Sequence, residues 1–185
     1  MLASVRMPEE MFSVENDVVS LKPMTREMCH EFYKGFCNDP AIGHYYEYVY
    51  TPETVDRYFK TNSTPDRKLF AIMVEERIVG ECKLKHLDPH NRECSMGIHL
   101  RDDSVKGKGY GTQAERLILR YAFDELDLVA VNADTVLENT RSQHVLEKAG
   151  FRYVREDGAF KYYRCEREEM VGKLEGIHDM MKKEL

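Results

Sequence analysis

Apolar and polar positions along this chain change period several times, and the changes mark out its elements. Val18-Val19-Ser20-Leu21-Lys22 reads as a first strand, closed by Pro23. Thr25 then stands as a helix N-cap, and a helix is expected from Arg26 to about Cys37, where Asn38-Asp39-Pro40 breaks it. Thr51-Pro52-Glu53 opens a second helix, threonine capping and proline in the first turn, running to about Lys60. Lys68 to Val74 and Arg77 to Leu84 form a hairpin about Glu75-Glu76, and after a turn at Asp88-Pro89-His90-Asn91 the stretch from Arg92 to Leu100 completes a three-strand meander. Beyond it, Ala114, Leu117, Ile118, Tyr121 and Ala122 recur at helical spacing. The apolar run Leu128 to Ala133 is a buried strand, and Asn139 to Ala149 a helix stopped by Gly150. Phe151 to Val154 and Phe160 to Cys165 close as a hairpin over Asp157-Gly158.

Between meander and helix lies Val105-Lys106-Gly107-Lys108-Gly109-Tyr110-Gly111-Thr112. A glycine-rich turn opening a helix exposes backbone N–H groups, the helix end adds partial positive charge, and Lys106 and Lys108 add more. Together they form an anion site suited to a pyrophosphate. The spacing is not that of a Walker loop. A dinucleotide fingerprint would need glycine where Thr112 stands. The three glycines alone fit an ordinary loop equally well.

Bulk properties narrow the function classes. A chain of 185 residues with 42% apolar and 32% charged residues suits one soluble domain. Residues 1–17 read as an N-terminal arm, 18–167 as the domain, and 168–185 as a charged helical tail. Net charge is −6, with no basic stripe away from the glycine loop, which argues against nucleic acid as partner. No apolar run is long enough to span a membrane, and no signal peptide opens the chain, so a cytoplasmic protein is expected. Five cysteines without a C-x-x-C pair read as free thiols, and no metal site is expected. Tyr45, Tyr46 and Glu47, in a tyrosine-rich stretch that extends to Tyr50, read either as aromatics packed on the core or as a wall able to hold a cationic substrate.

The order of elements, with the loop, resembles the GNAT-type N-acetyltransferase superfamily over about residues 18 to 167. Lys106 to Gly111 is similar to the family's Gln/Arg-x-x-Gly-x-Gly/Ala pyrophosphate loop, with lysine in the Gln/Arg place. Asn139-Thr140-Arg141-Ser142 and Glu147-Lys148-Ala149-Gly150-Phe151 are similar to its second motif. The branch most resembled is that of ribosomal-protein-alanine and spermidine N-acetyltransferases. The resemblance implies an α+β, three-layer fold whose mixed, mostly antiparallel sheet splays open at its centre. Acetyl-CoA would lie in the split, its pantetheine arm along His99, Leu100 and Arg101 and its pyrophosphate on Lys106, Gly107, Lys108, Gly109, Tyr110 and Gly111. Thr112 would add a hydroxyl, and Asn139 would reach the pantetheine.

The implied chemistry is direct acetyl transfer to a primary amine: a polyamine, an amino-sugar or a protein N-terminus. The attacking amine needs a base, for which Glu93 and His86 are the first candidates and Glu81 the third. The departing thiolate is helped in many relatives by a tyrosine seven residues after the motif asparagine, where this chain has Leu146. Tyr162, Tyr163 and His144 are the remaining candidate acids. A second reading, from another class, is a non-catalytic acyl-CoA-binding sensor on the same scaffold. A homodimer is compatible with either.

Overall fold

The computed structural model describes residues 18–39 and 48–170, with the backbone of a short strand at 14–15. Among them, eight strands form one sheet: β1 (Val14–Glu15), β2 (Ser20–Pro23), β3 (Lys68–Val74), β4 (Arg77–Asp88), β5 (Glu93–Leu100), β6 (Ala130–Val136), β7 (Arg152–Glu156) and β8 (Phe160–Glu166). Their spatial order is β1-β2-β3-β4-β5-β6-β8-β7. The helices are α1 (Arg26–Lys34), α2 (Pro52–Asn62), α3 (Tyr110–Arg120) and α4 (Thr140–Ala149). This is the mixed, helix-flanked, largely antiparallel sheet expected.

The caps are those written in the sequence. Thr25 accepts from the Met28 N–H at 3.2 Å and Thr51 from that of Thr54 at 3.1 Å. Gly150 closes α4 at φ 122°. Differences lie at the ends. Helix α1 stops at Lys34 because the Gly35 N–H turns back to the Phe32 carbonyl. Strand β4 runs on to Asp88 through an irregular register after Lys85, with His86 at φ 56°. Strand β6 begins two residues later than its apolar run and ends three residues later. The arm contributes β1, which pairs with β2. Helix α3 runs on into a single π turn, Tyr121–Glu125, where the Leu126 N–H reaches the Tyr121 carbonyl at 3.2 Å. The tail is described only as a helical turn at 167–170.

Strand alternation divides the interior into two layers. On one face Cys82, Leu84, Cys94, Met96, Val131 and Ala133 pack with Ala114, Leu117 and Ile118 of α3 and Leu146 of α4. On the other, Leu69, Ala71 and Ile78 pack with Cys29, Phe32 and Tyr33 of α1 and Val55 of α2.

Between β5 and β6 the sheet opens. These strands are parallel and pair only from Glu93↔Ala130 to Met96↔Ala133. Past that point Gly97–Leu100 and Asp134–Val136 have no partner in each other. The β4–β5 side stays closed up to Leu100. Gly80 allows this close pairing, since a Cβ there would lie 2.6 Å from the His99 carbonyl oxygen.

Candidate active site

The split is the centre of a cavity of about 670 Å3 that reaches both layers. Met96, Ile98 and Leu100 line one edge and Ala133 to Val136 the other. Gly111 and Glu115 of α3, with Val145 and Leu146 of α4, wall one side; Tyr33, Phe36, Tyr48, Tyr58 and Lys83 wall the opposite side.

The glycine loop borders this cavity. Lys106 and Gly111, at the loop's two ends, line it. Gly107 (φ 75°) and Gly109 (φ 82°) hold left-handed conformations that suit glycine. Gly109 caps α3 without a side-chain acceptor, so the first amides of the helix are left for another partner. Lys106 Nζ meets Asp39 at 3.0 Å and Asp103 at 2.9 Å; burial lowers the ammonium pKa, but these carboxylates raise it further. Arg141 stands 3.9 and 3.8 Å from the same two aspartates. Asn139 lines the cavity, and its Oδ1 caps α4 by accepting from the Ser142 N–H at 3.1 Å. Lys108, Tyr110 and Thr112 stand outside the cavity lining, on or next to the loop.

Of the three residues expected to run beside a pantetheine arm, only Leu100 turns its backbone to the gap. The Arg101 N–H donates to the Val79 carbonyl at 2.9 Å, and the Arg101 carbonyl accepts from the Cys37 N–H at 2.9 Å. Successive residues of an antiparallel ladder bond to opposite sides, so His99 and Gly97 also face β4. The backbone open to the gap is that of Ile98 and Leu100.

His99 is instead prominent through its side chain. Its Nδ1 lies 3.1 Å from Oε1 of Glu81, directly across the β4–β5 pair. Glu81 is 1% exposed. The same oxygen accepts from the Tyr58 hydroxyl at 2.5 Å, and Lys83 Nζ stands 3.8 Å away while donating to that hydroxyl at 2.7 Å. Burial pushes the Glu81 carboxyl up, but the His99 hydrogen bond, the Lys83 charge and the Tyr58 hydroxyl outweigh it and hold it below its usual value. Burial likewise pushes the Lys83 ammonium down, against the pull of Glu81. Tyr33, Tyr48, Tyr58 and Phe36 surround this network, with Phe36 in edge contact with the His99 ring.

The two leading candidates for the base stand elsewhere. Glu93 lies at the closed end of β5, clamped by Arg164 at 2.6 and 2.9 Å with Asn132 Nδ2 at 3.4 Å. That guanidinium holds its carboxyl below the usual range, which disfavours proton uptake. His86 sits at the β4 irregularity, its Nε2 3.5 Å from Arg67. Neither lines the cavity. Replacing Glu93 with glutamine is expected to cost about 1–2 kcal/mol of stability, read in a denaturant melt, and to leave turnover unchanged. Nor do the acids proposed from sequence line it: the Tyr162 hydroxyl bonds Asp157, Tyr163 is buried against Tyr153, and His144 bonds the Thr140 carbonyl. Tyr45, Tyr46 and Glu47 lie outside the described residues, whereas Tyr48, from the same stretch, is a cavity wall. Leu146 is buried and apolar. Among the described residues no cluster of three or more His, Cys, Asp or Glu could hold a metal, and no helix is long and apolar enough to cross a membrane.

The family model described as "Acetyltransferase (GNAT) domain" matches residues 19–152. The chain belongs to the GNAT acetyltransferases. Within that family, "Putative ribosomal N-acetyltransferase YdaF" of Bacillus subtilis (strain 168) is 28% identical over 122 residues, covering 62% of this chain and 66% of that protein. "Spermidine N(1)-acetyltransferase" of Escherichia coli (strain K12) is 24% identical over 135 residues, 72% of each chain. A solved Vibrio cholerae spermidine N-acetyltransferase, in complex with CoA and spermine, superposes with a TM-score of 0.73 at 15% identity, covering 84% of this chain and 99% of that one. This last likeness carries the fold alone.

Proposed function

We propose that this GNAT domain transfers an acetyl group directly from acetyl-CoA to a primary amine, with donor and acceptor entering the split sheet from opposite faces. The observation that carries this reading is the His99–Glu81 pair standing beside a slot whose other end meets the glycine loop that opens α3. On this reading the CoA pyrophosphate takes the free amides at the start of α3 with Lys106 and Arg141. Its pantetheine arm bonds to the open backbone of Ile98 and Leu100, as an extra strand would. The thioester reaches the side walled by the tyrosines.

An amine is protonated near neutral pH and must shed that proton to attack. In this scheme His99 accepts it at Nε2, while Nδ1–H donates to Glu81, which fixes the tautomer and stabilises the imidazolium that forms. The acceptor is a small amine, held among Tyr33, Tyr48 and Tyr58. Lys83 beside them already shares the Glu81 charge, so this side offers a polycation such as spermidine little uncompensated negative charge among the described residues.

The test is release of CoA thiol, with acetyl-CoA titrated, across polyamines, amino-sugars, amino-acid-like amines and N-terminal peptides. Saturable release with one small-amine class is expected. Binding of acetyl-CoA with no release from any amine supports the sensor reading instead. Replacing Lys106 with alanine is expected to raise the KM for acetyl-CoA about tenfold with little change in kcat, since Lys106 contacts donor phosphate and not the reacting atoms.

A further inference from the structure

Glu115 has no place in the scheme above. It lies on the inner face of α3 with 0% exposure, and neither carboxyl oxygen has a hydrogen-bond partner. It lines the cavity on the α3–α4 side. Buried polar groups are normally paired, and a carboxyl orphaned at both oxygens in a cavity wall marks a missing ligand atom. In the sequence, Glu115 falls between Ala114 and Ile118, within the apolar face of an amphipathic helix, where glutamate is out of place.

Its depth in the slot follows from the helix. Gly111 is one turn earlier on the same face, and a Cβ there would stand 3.8 Å from Leu100 Cδ1 and 3.6 Å from Val145 Cγ1. The chain reverses after β5, so Glu115 lies roughly 6 Å further down α3. At about 3.3 Å per strand residue that is the level of Ile98 and His99. Glu115 and His99 therefore flank the gap at one depth from opposite faces.

We propose that Glu115 is the acid that protonates the sulfur of the departing CoA, an inference that rests on the acetyl-transfer reading. The amine nitrogen attacks the thioester carbon from the His99 side; a C–N bond forms and the C–S bond breaks with its electron pair going to sulfur. The carboxyl proton of Glu115 passes to that sulfur, and the proton lost by the amine goes to His99. Solvent then reprotonates Glu115 and takes the proton from His99, so the products are the amide and CoA thiol. Burial pushes the Glu115 carboxyl well above its ordinary value, which favours the protonated form that an acid must present to a leaving thiolate. The charged or titratable group that bears on it from the sheet is the buried thiol of Cys82, itself pushed up by burial. On α4 the neighbouring wall residues Val145 and Leu146 offer no proton.

The test compares the full-length chain with Glu115→Gln and Glu115→Leu, using acetyl-CoA and phenyl thioacetate as donors to the same amine. With acetyl-CoA, both variants are expected to lose about 10²-fold or more in kcat while the Kd for CoA is unchanged. With phenyl thioacetate, whose aryl thiolate leaves without a proton, variants and wild type should run at the same rate. Glu115→Leu should melt no lower than wild type, since no partner is stranded. Unchanged kcat in Glu115→Gln overturns the proposal. So do equal losses with both donors, or a loss of CoA affinity that accounts for the loss of rate. Release of no CoA by the wild-type chain removes the transfer reading itself, and this inference with it.

Discussion

Replacing His99 with alanine lowers kcat for acetyl transfer by about 10²- to 10⁴-fold, the range expected when a positioned base is removed. The KM for acetyl-CoA changes little, because the donor meets the backbone of neighbouring residues and not this side chain. Fold and stability survive, since His99 is half exposed and Glu81 keeps Tyr58 and Lys83 as partners. The loss should shrink as pH rises and more of the amine is free without assistance. A pH–rate series on wild type and variant reads both effects. A uniform loss across pH, or a raised acetyl-CoA KM as the main change, would make His99 a binding residue.

The Glu81→Ala variant is expected to lose both activity and about 3–5 kcal/mol of stability. One carboxyl oxygen gathers Tyr58, His99 and Lys83, so its removal takes the acceptor from the Tyr58 hydroxyl proton and leaves a largely buried ammonium without its counter-charge. Against a total of roughly 5–15 kcal/mol for a domain, that is a large fraction. For a domain this long the melting temperature should fall by roughly 6–20 °C. The effect of pH follows from the direction of the shift. The folded carboxyl is held below its ordinary value of 4.5, so its stabilisation is complete above that pH. It drains away as the pH falls through the folded pKa. Glu115 has the opposite sign. Its folded pKa is raised, so its contribution is complete below pH 4.5 and is lost as the pH climbs towards the folded value. Glu115→Leu should therefore stabilise the chain more at pH 7 than at pH 4, and Glu81→Ala should cost most near neutrality and least in acid. Thermal melts of the two variants at both pH values check this.

The elements legible in the sequence are those set by local chemistry. Thr25, Thr51 and Gly150 cap the helices they were expected to cap, and the meander from Lys68 to Leu100 turns where its polar pairs lie. The helix-opening glycine loop is likewise a local signal, and Lys106 and Gly111 do border the cavity. What escaped depends on contacts distant in sequence. The split was implied by the family resemblance, but local chemistry does not set where it opens, which is where β5 and β6 stop pairing after Met96 and Ala133. The Glu81–His99 pair follows from the antiparallel register of β4 and β5, which fixes 81 opposite 99 across a turn whose irregularity the sequence leaves ambiguous. Glu93 attracted attention as a carboxylate on the right strand. Its role was decided by Arg164, a residue far along the chain that reaches it only because β8 lies beside β6. Glu115 carried a signal that could have been read, a glutamate on the apolar face of a helix.

Direct transfer across the split sheet is most sharply tested by rapid quench of the enzyme loaded with isotopically labelled acetyl-CoA, with and without the preferred amine. The account predicts that label stays in the thioester until amine is added and then appears on the amine nitrogen, with none on the protein at any time. Label trapped on the chain before amine is added, for instance on Cys37 in the cavity wall, would contradict it. So would label that never leaves the thioester with any amine.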